Sequence, residues 1–140
     1  MIEDLPPEPG AYALVIELAE ESTLEVGALG RVRLKPGRYV YAGSAWGPGG
    51  IRARVKRHLR VEKRLHWHID HLTRLAPMTA LVVRPGGREC TLLDALRKAR
   101  PEASPIPGFG SSDCSRCPAH LFHIPPPIAP RLLADTMERA

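Results

Sequence analysis

The sequence contains no asparagine and no glutamine, and it uses sixteen arginines against only four lysines. Fifteen prolines are spread along its 140 residues. Depletion of the thermolabile amide residues, combined with many prolines in loops, is typical of proteins that work at high temperature. A GC-rich genome would also enrich arginine, alanine, glycine and proline. We therefore expect a thermophilic source, with genome composition as the alternative explanation.

The chain also lacks any apolar run approaching the roughly 18 residues that a membrane span needs. Residues 1–30 hold seven acidic side chains and no lysine or arginine, unlike the positively charged start of a secretory signal. Hydrophobic residues make up 44% of the chain and charged residues 25%, which excludes a disordered segment, a collagen or a coiled coil. These features predict a soluble cytoplasmic protein folded as a single domain over residues 1–140.

Positive charge is concentrated beyond the acidic first 30 residues. The net charge of +5 divides into −7 for residues 1–30 and +12 for residues 31–140. The segment Arg52–Arg64 alone carries seven basic residues and one acid. A focused patch of this kind indicates a surface that faces a polyanion, with nucleic acid ahead of an acidic membrane, and the alternative is a solvated helix face. The candidate nucleic-acid-binding residues are Arg52, Lys56, Arg57, Arg60, Lys63 and Arg64.

Hydrophobic periodicity predicts an α/β (α+β) domain in which a small central mixed or antiparallel sheet is flanked by helices. Runs of β-forming residues predict strands over residues 11–18, 24–26, 31–34, 38–43, 79–83 and 120–124. Helical spacing predicts helices over residues 51–60, 65–74, 89–99 and 129–139. The near-continuous apolar run over residues 11–18 is typical of a central strand that is buried on both faces.

The first predicted helix carries a buried stripe formed by Ile51, Val55 and Leu59, which repeat at every fourth position. At about 100° per residue, Arg54 and His58 lie together on one shoulder of this stripe. Lys56, Arg57 and Arg60 are expected to point away from it. A basic pair beside a buried face is better placed for a functional site than for bulk solvent.

A cysteine and histidine cluster near the C-terminus has the spacing Cys114-x-x-Cys117-x-x-His120-x-x-His123. Two thiols at this spacing fit the start of a structural zinc site, with His120 as a third candidate ligand. His120 and His123 would face opposite sides of a strand, so at most one of them joins the thiols. Zinc, a Cys114–Cys117 disulfide and reduced thiols stay open as alternatives. We expect Cys90 to be a small buried hydrophobic residue.

Several short motifs follow one another in a characteristic order. Gly10-Ala11-Tyr12 begins one predicted strand, and Tyr41-Ala42-Gly43 ends another. Arg54 and His58 then follow on a helix, and Glu89 begins a later helix. This order resembles the GIY-YIG nuclease superfamily. The segments Trp67–Asp70 and Gly108–Cys114, with Cys117 and His120–Phe122, resemble in particular an uncharacterised prokaryotic branch related to domains attached to endonuclease III-like proteins.

The resemblance implies a metal-dependent endonuclease that acts on nucleic acid, with repair of DNA as the expected context. It implies that Glu89 holds Mg²⁺ or Mn²⁺, that Arg54 clamps a phosphate, and that Tyr12 or Tyr41 loses its proton and activates water. His58 would orient a tyrosine or carry a proton. The chemistry is consistent with these residue types, because phosphodiester cleavage needs a nucleophilic water and charge relief on the phosphate.

Two other functions stay open. One is a catalytically inactive module that binds nucleic acid, which the absence of asparagine favours because many nucleases of the superfamily use a late asparagine. The other is a small interaction domain in which the Cys/His cluster holds metal for structure. For Glu89, the alternative role is capping of the helix that it begins.

Overall fold

The computed structural model of this chain describes residues 5–26, 30–60, 68–76, 78–107, 109, 119–125 and 137. The described strands are β1 (Gly10–Leu18), β2 (Ser22–Val26), β3 (Gly30–Leu34), β4 (Gly37–Ala45), β5 (Met78–Pro85), β6 (Ser104–Pro105) and β7 (Leu121–Ile124). The described helices are α1 (Gly50–Leu59), α2 (His68–Thr73) and α3 (Glu89–Ala99). None of these helices has the length and apolar character that crossing a bilayer requires.

The strands form a five-stranded sheet in the order β5-β1-β4-β7-β6, together with a separate β2–β3 hairpin. Every pairing in the larger sheet is antiparallel. Because β1 pairs with β4 on one side and β5 on the other, it is shielded on both edges as well as on both faces. The fold is a small single α+β domain, which confirms the predicted class.

The alternation of side chains along β1 and β4 divides the core into two layers. On one face, Tyr12, Leu14 and Tyr41 pack with α1, α2 and the hairpin. On the other face, Ala13, Val15 and Ala42 pack against the leucines of α3. Tyr39 and Tyr41 therefore share a face while Val40 takes the opposite one, as the spacing predicts.

Helix α1 begins against the N-terminal segment of the chain. The backbone N–H groups of Ile51 and Arg52 donate to the carbonyl oxygens of Glu8 and Pro6, both at 3.0 Å. These bonds satisfy donors that the first turn of any helix leaves without an intrahelical partner. The glycine-rich loop before α1 is therefore a bent connection, and these two N–H groups are already used by the protein's own carbonyl groups.

One detail of the first predicted helix is wrong, and most of the last predicted helix lies outside the described residues. Leu59 is 37% exposed, and His58, only 3% exposed, takes the third place in the buried stripe. His58 lies seven positions after Ile51 and so shares the buried side of the helix, where it contacts Tyr12. The predicted helix 129–139 lies outside the described residues except for Met137, which is helical and buried.

Substitution of Gly50 tests how α1 is seated. Gly50 has a φ of 59°, and a Cβ atom there would collide with the backbone carbonyl groups of Pro7 and Glu8. Gly86 has a similar φ of 72°, but a Cβ atom would meet nothing within 4 Å. We expect Gly86→Ala to cost about 1–2 kcal/mol of unfolding free energy from backbone strain alone, and Gly50→Ala to cost at least about 2 kcal/mol more. Equal losses in urea unfolding would contradict this packing.

Candidate active site

The hydroxyl of Tyr12 and the imidazole of His58 form the centre of the candidate site. Tyr12 lies opposite Gly43 in the β1–β4 pairing, and its side chain points toward α1. The Tyr12 Oη atom is 2.6 Å from His58 Nε2. In the tautomer with the proton on Nδ1, the tyrosine hydroxyl donates this hydrogen bond to Nε2. A short bond between two buried groups provides a path for a proton between them.

Tyr41 lies beside this pair. Its ring meets the His58 ring edge-on, with the ring centroids 6.2 Å apart. Gly43 follows two residues later on the same face of β4, where a Cβ atom would lie 2.5 Å from the Tyr12 hydroxyl and 3.1 Å from a Tyr41 ring carbon. The glycine therefore leaves the space that both phenol rings use. The Gly-x-Tyr and Tyr-x-Gly motifs meet here because β1 and β4 are paired.

The guanidinium group of Arg54 lies close enough to both tyrosines to act on them. It donates a hydrogen bond to the carbonyl oxygen of Ser44 at 3.2 Å, and it borders Gly47 in the loop before α1. A hydrogen bond and the positive charge of Arg54 both act on Tyr12, and the same charge acts on Tyr41. The shoulder of α1 thus brings Arg54 and His58 to the tyrosines, as helical spacing predicts.

Burial controls the ionisation of these tyrosines. Removal from water raises the pKa of Tyr12 well above its ordinary range, and the opposing charge and hydrogen bond of Arg54 are smaller effects. Burial likewise raises the pKa of Tyr41, with smaller upward contributions from the carboxylates of Asp70 and Glu89. The positive charge of Arg54 therefore does not offset the effect of burial on the pKa of either tyrosine. A nearby proton acceptor is required, and His58 is in contact with Tyr12.

Glu89 is the first residue of α3 and is half-buried. Its carboxylate, the Cys90 thiol and a ring nitrogen of His120 all lie within 4.8 Å of one another. These three side chains form a group that could hold a metal ion. His120 is fixed beside the Tyr41-Ala42-Gly43 motif, since the N–H of Ala42 donates to its carbonyl oxygen at 3.0 Å. His123 lies elsewhere, with its ring against Tyr39.

The predicted nucleic-acid-binding residues of α1 do not all face solvent. Lys56 and Arg60 are exposed, as expected. Arg52 instead turns back and donates from Nε to the carbonyl oxygen of Leu5 at 2.7 Å. Lys63 and Arg64 lie outside the described residues. In the described part of the basic segment, Lys56 and Arg60 are therefore the positively charged side chains that face solvent.

The expectation that Arg57 points to solvent is wrong. Its guanidinium forms a two-pronged ion pair with Asp70, with N–O distances of 2.6 and 2.8 Å. The Asp70 side chain is completely buried, and that of Arg57 is 23% exposed. A buried carboxylate needs such a partner, so Asp70 on α2 draws Arg57 against the protein. This ion pair joins α1 to α2, and its Asp70 carboxylate is close enough to influence Tyr12 and Tyr41.

The predicted cysteine cluster is only partly described. Cys114 and Cys117 lie outside the described residues, so the alternatives of zinc, disulfide and reduced thiols stay predictions. Cys90 is buried, as expected. Its position beside Glu89 and His120 could not be read from spacing, because His120 is thirty residues away along the chain and reaches α3 only through the strand order.

Trp46 is a further residue that sequence patterns did not single out. It directly follows β4 in the glycine-rich loop and is 60% exposed, whereas most large apolar side chains in the described residues are buried. The adjacent Gly47 borders the Arg54 guanidinium. An exposed indole ring is a surface on which a planar base can stack. Its position directly before Gly47 in the glycine-rich loop was the signal that could have found it.

Comparison with protein families gives a match over most of the chain. Residues 11–139 match DUF123, a domain of unknown function. The chain belongs to this family. The match spans nearly all of the chain and includes Tyr12, the Tyr41-Ala42-Gly43 motif, α1, α3 and the cysteine-containing segment. Neither the curated proteins nor the solved structures give a match.

Loss of Arg57 tests the ion pair with Asp70. We expect Arg57→Ala to lower the unfolding free energy by about 3 kcal/mol, because it leaves a buried carboxylate without its countercharge. Lys56→Ala, at the neighbouring exposed position, should change the unfolding free energy by no more than about 0.5 kcal/mol. Urea unfolding of both variants provides the comparison. Similar small effects would mean that Arg57 is a surface residue, as its position in the sequence first indicates.

Alkaline titration tests the burial of the tyrosines. The chain has three tyrosines, and burial also raises the pKa of Tyr39, to about 12. A raised pKa means that the folded state holds the proton more tightly, so stability is full below pH 10 and falls as pH rises above it. The loss should be about 1.4 kcal/mol per pH unit for each such tyrosine. Ultraviolet titration should show three tyrosinates near pH 10 in denaturant and later ionisation in the native protein. A native tyrosinate below pH 10 would contradict this assignment.

Proposed function

We propose that this protein is a metal-dependent endonuclease of the GIY-YIG type that cleaves phosphodiester bonds in a cytoplasmic nucleic acid, with DNA as the favoured substrate. The observation that carries the proposal is the 2.6 Å contact between Tyr12 and His58, with Arg54 acting on the same tyrosine. The order of Gly10-x-Tyr12, Tyr41-x-Gly43, Arg54, His58 and Glu89 supports the same assignment through its resemblance to that superfamily.

In this mechanism, Tyr12 and His58 act as a proton relay. A water molecule beside Tyr12 passes a proton to the tyrosine oxygen as it attacks phosphorus, while the original hydroxyl proton moves to His58 Nε2. Tyr12 stays neutral overall, so its raised pKa does not obstruct the reaction. His58 also borders an open cleft of about 290 Å³ next to Leu59 and Thr73, through which its proton can return to solvent.

Arg54 would bind the reacting phosphate. Its guanidinium presents a planar set of donors that matches the non-bridging oxygens of a phosphodiester. Because it lies next to the two phenol rings, the phosphate that it holds would be in reach of the attacking water. Tyr41 would complete the pocket wall on the side nearer Glu89, since the Glu89 carboxylate is close enough to influence its ionisation.

Glu89 would hold the divalent cation that the resemblance implies. Its half-buried carboxylate is the hard oxygen ligand that Mg²⁺ or Mn²⁺ needs, with water molecules completing the shell. When bound, the cation supplies charge relief on the phosphate and the leaving oxygen. The position of Glu89 at the start of α3, near Tyr41, supports this role.

Substrate contacts outside the reacting phosphate would come from the exposed basic residues and from Trp46. Lys56 on α1 and Arg60 just after it are exposed, and both can meet backbone phosphates some distance from the cleaved one. Trp46 would stack on a base next to Arg54. Arg57 and Arg52 are removed from the proposed contact surface, because they bind Asp70 and Leu5.

A catalytically inactive nucleic-acid-binding module is the second candidate. Tyr12 and Tyr41 are both buried in the core between the sheet and α1, which suits a role in packing. Under this alternative, Arg54 would be one more phosphate contact on α1. The two functions differ in what Arg54 does, so one set of variants separates them.

We expect Arg54→Ala to slow single-turnover cleavage of DNA in Mn²⁺ by about a hundredfold or more while weakening binding much less. Arg54→Lys should restore only part of the rate, because a point charge does not reproduce the planar fork. Lys56→Ala, on the same helix, and Arg60→Ala, at the residue that follows it, serve as matched controls. Each should weaken binding to all sequences and reduce the salt slope by about one unit, with little change in the bound cleavage rate.

The outcome that contradicts the endonuclease is equally specific. If Arg54→Ala resembles Lys56→Ala, changing affinity and salt slope but not the rate of the bound complex, α1 is only an electrostatic surface. If the wild-type protein binds DNA without cutting it in Mg²⁺ or Mn²⁺, the binding module is the better description.

A further inference from the structure

We infer that Glu89, Cys90 and His120 form a binding site for a zinc-class transition metal. This inference deepens the proposed function, on which it rests for its use of Glu89, by naming a softer metal than Mg²⁺. The ligand atoms of the three side chains lie within 4.8 Å of one another. They supply one carboxylate oxygen, one sulfur and one imidazole nitrogen.

The donor chemistry separates this site from a magnesium site. Mg²⁺ prefers oxygen ligands in an octahedral arrangement and is not bound by thiolates. A thiolate and an imidazole beside a carboxylate favour Zn²⁺, or Co²⁺ in its place. Three protein ligands leave the fourth tetrahedral position for water or a phosphate oxygen, as in zinc sites that take part in reactions. The set of Glu89, Cys90 and His120 therefore fits Zn²⁺ better than it fits Mg²⁺.

The three ligands are held by well-defined parts of the fold. Glu89 and Cys90 are the first two residues of α3, a helix of eleven residues whose leucines pack under the sheet. His120 is fixed through its own backbone, which accepts from the Ala42 N–H at 3.0 Å and donates to the Phe109 carbonyl at 2.8 Å. Cys90 is 7% exposed and His120 is 5% exposed. A metal here would be bound by groups already brought together on folding.

The spacing also fits in magnitude. Two bonds of about 2.0–2.3 Å at a tetrahedral angle separate ligand atoms by about 3.5 Å. Atoms within 4.8 Å of one another need to close by about an ångström, which side-chain rotation can supply. His123, the other buried histidine of this strand region, packs against Tyr39 and does not belong to the group. It provides a matched control.

The test is a titration of the chelator-treated, reduced protein with Co²⁺, followed by competition with Zn²⁺, in the absence of nucleic acid. We expect about one equivalent of tightly bound metal and a sulfur-to-cobalt charge-transfer band in the near ultraviolet. Cys90→Ser, which keeps the shape of the side chain, should abolish the band and weaken Zn²⁺ binding by at least about a hundredfold. Glu89→Gln and His120→Ala should weaken Zn²⁺ binding, and His123→Ala should leave it unchanged.

A double variant, Cys114→Ser with Cys117→Ser, separates this site from one built on the later cysteines. Retention of the cobalt band in the double variant and its loss in Cys90→Ser support the inference, while the reverse pattern overturns it. An absence of any band overturns it as well, even if the protein cuts DNA in Mg²⁺. Metal binding without cleavage would instead contradict the proposed endonuclease and leave this site intact. Circular dichroism of each variant controls for folding.

Discussion

The absence of a side chain at Gly43 is the constraint on which the candidate site depends. The β1–β4 register sets Tyr12 directly opposite Gly43, and the Tyr12 ring occupies the space above it. A Cβ atom at this position would lie 2.5 Å from the tyrosine hydroxyl and 2.7 Å from the ring carbon that carries it. With that space open, the hydroxyl reaches His58 on α1. The strand register and the lack of a side chain at Gly43 thus allow the Tyr12 hydroxyl to contact the His58 imidazole.

The rest of the structure holds α1 in the position that this contact needs. Carbonyl groups of Pro6 and Glu8 bind its first turn, and the pair formed by Arg57 and Asp70 joins it to α2. Ile51 and Val55 fix its buried side against the sheet. Because the buried side of α1 is fixed in this way, the side of the helix that carries Arg54 faces the tyrosines. Arg57, which the sequence predicts to bind nucleic acid, therefore stabilises the packing of α1 against α2 instead.

Patterns with a short period could be predicted from the sequence. The alternation along β4 predicts Tyr39 and Tyr41 on one face, and helical spacing predicts Arg54 and His58 on one shoulder of α1, where both act on Tyr12. Interactions between distant segments could not be predicted. Arg57 was expected in solvent because its partner, Asp70, comes from another helix. Likewise, the side chains of Cys90 and His120 lie close together because β7 pairs with β4. The spacing of residues along the chain does not predict that strand order.

The most direct test of the central claim is the rate at which supercoiled DNA is nicked in Mn²⁺ by the wild-type protein and by Gly43→Ala. The account predicts that the wild-type protein nicks DNA, that EDTA stops the reaction, and that Gly43→Ala is folded but at least about tenfold slower, because the new methyl group displaces the Tyr12 hydroxyl from His58. A wild-type protein that does not nick DNA, or a Gly43→Ala variant that nicks at the wild-type rate, would contradict it.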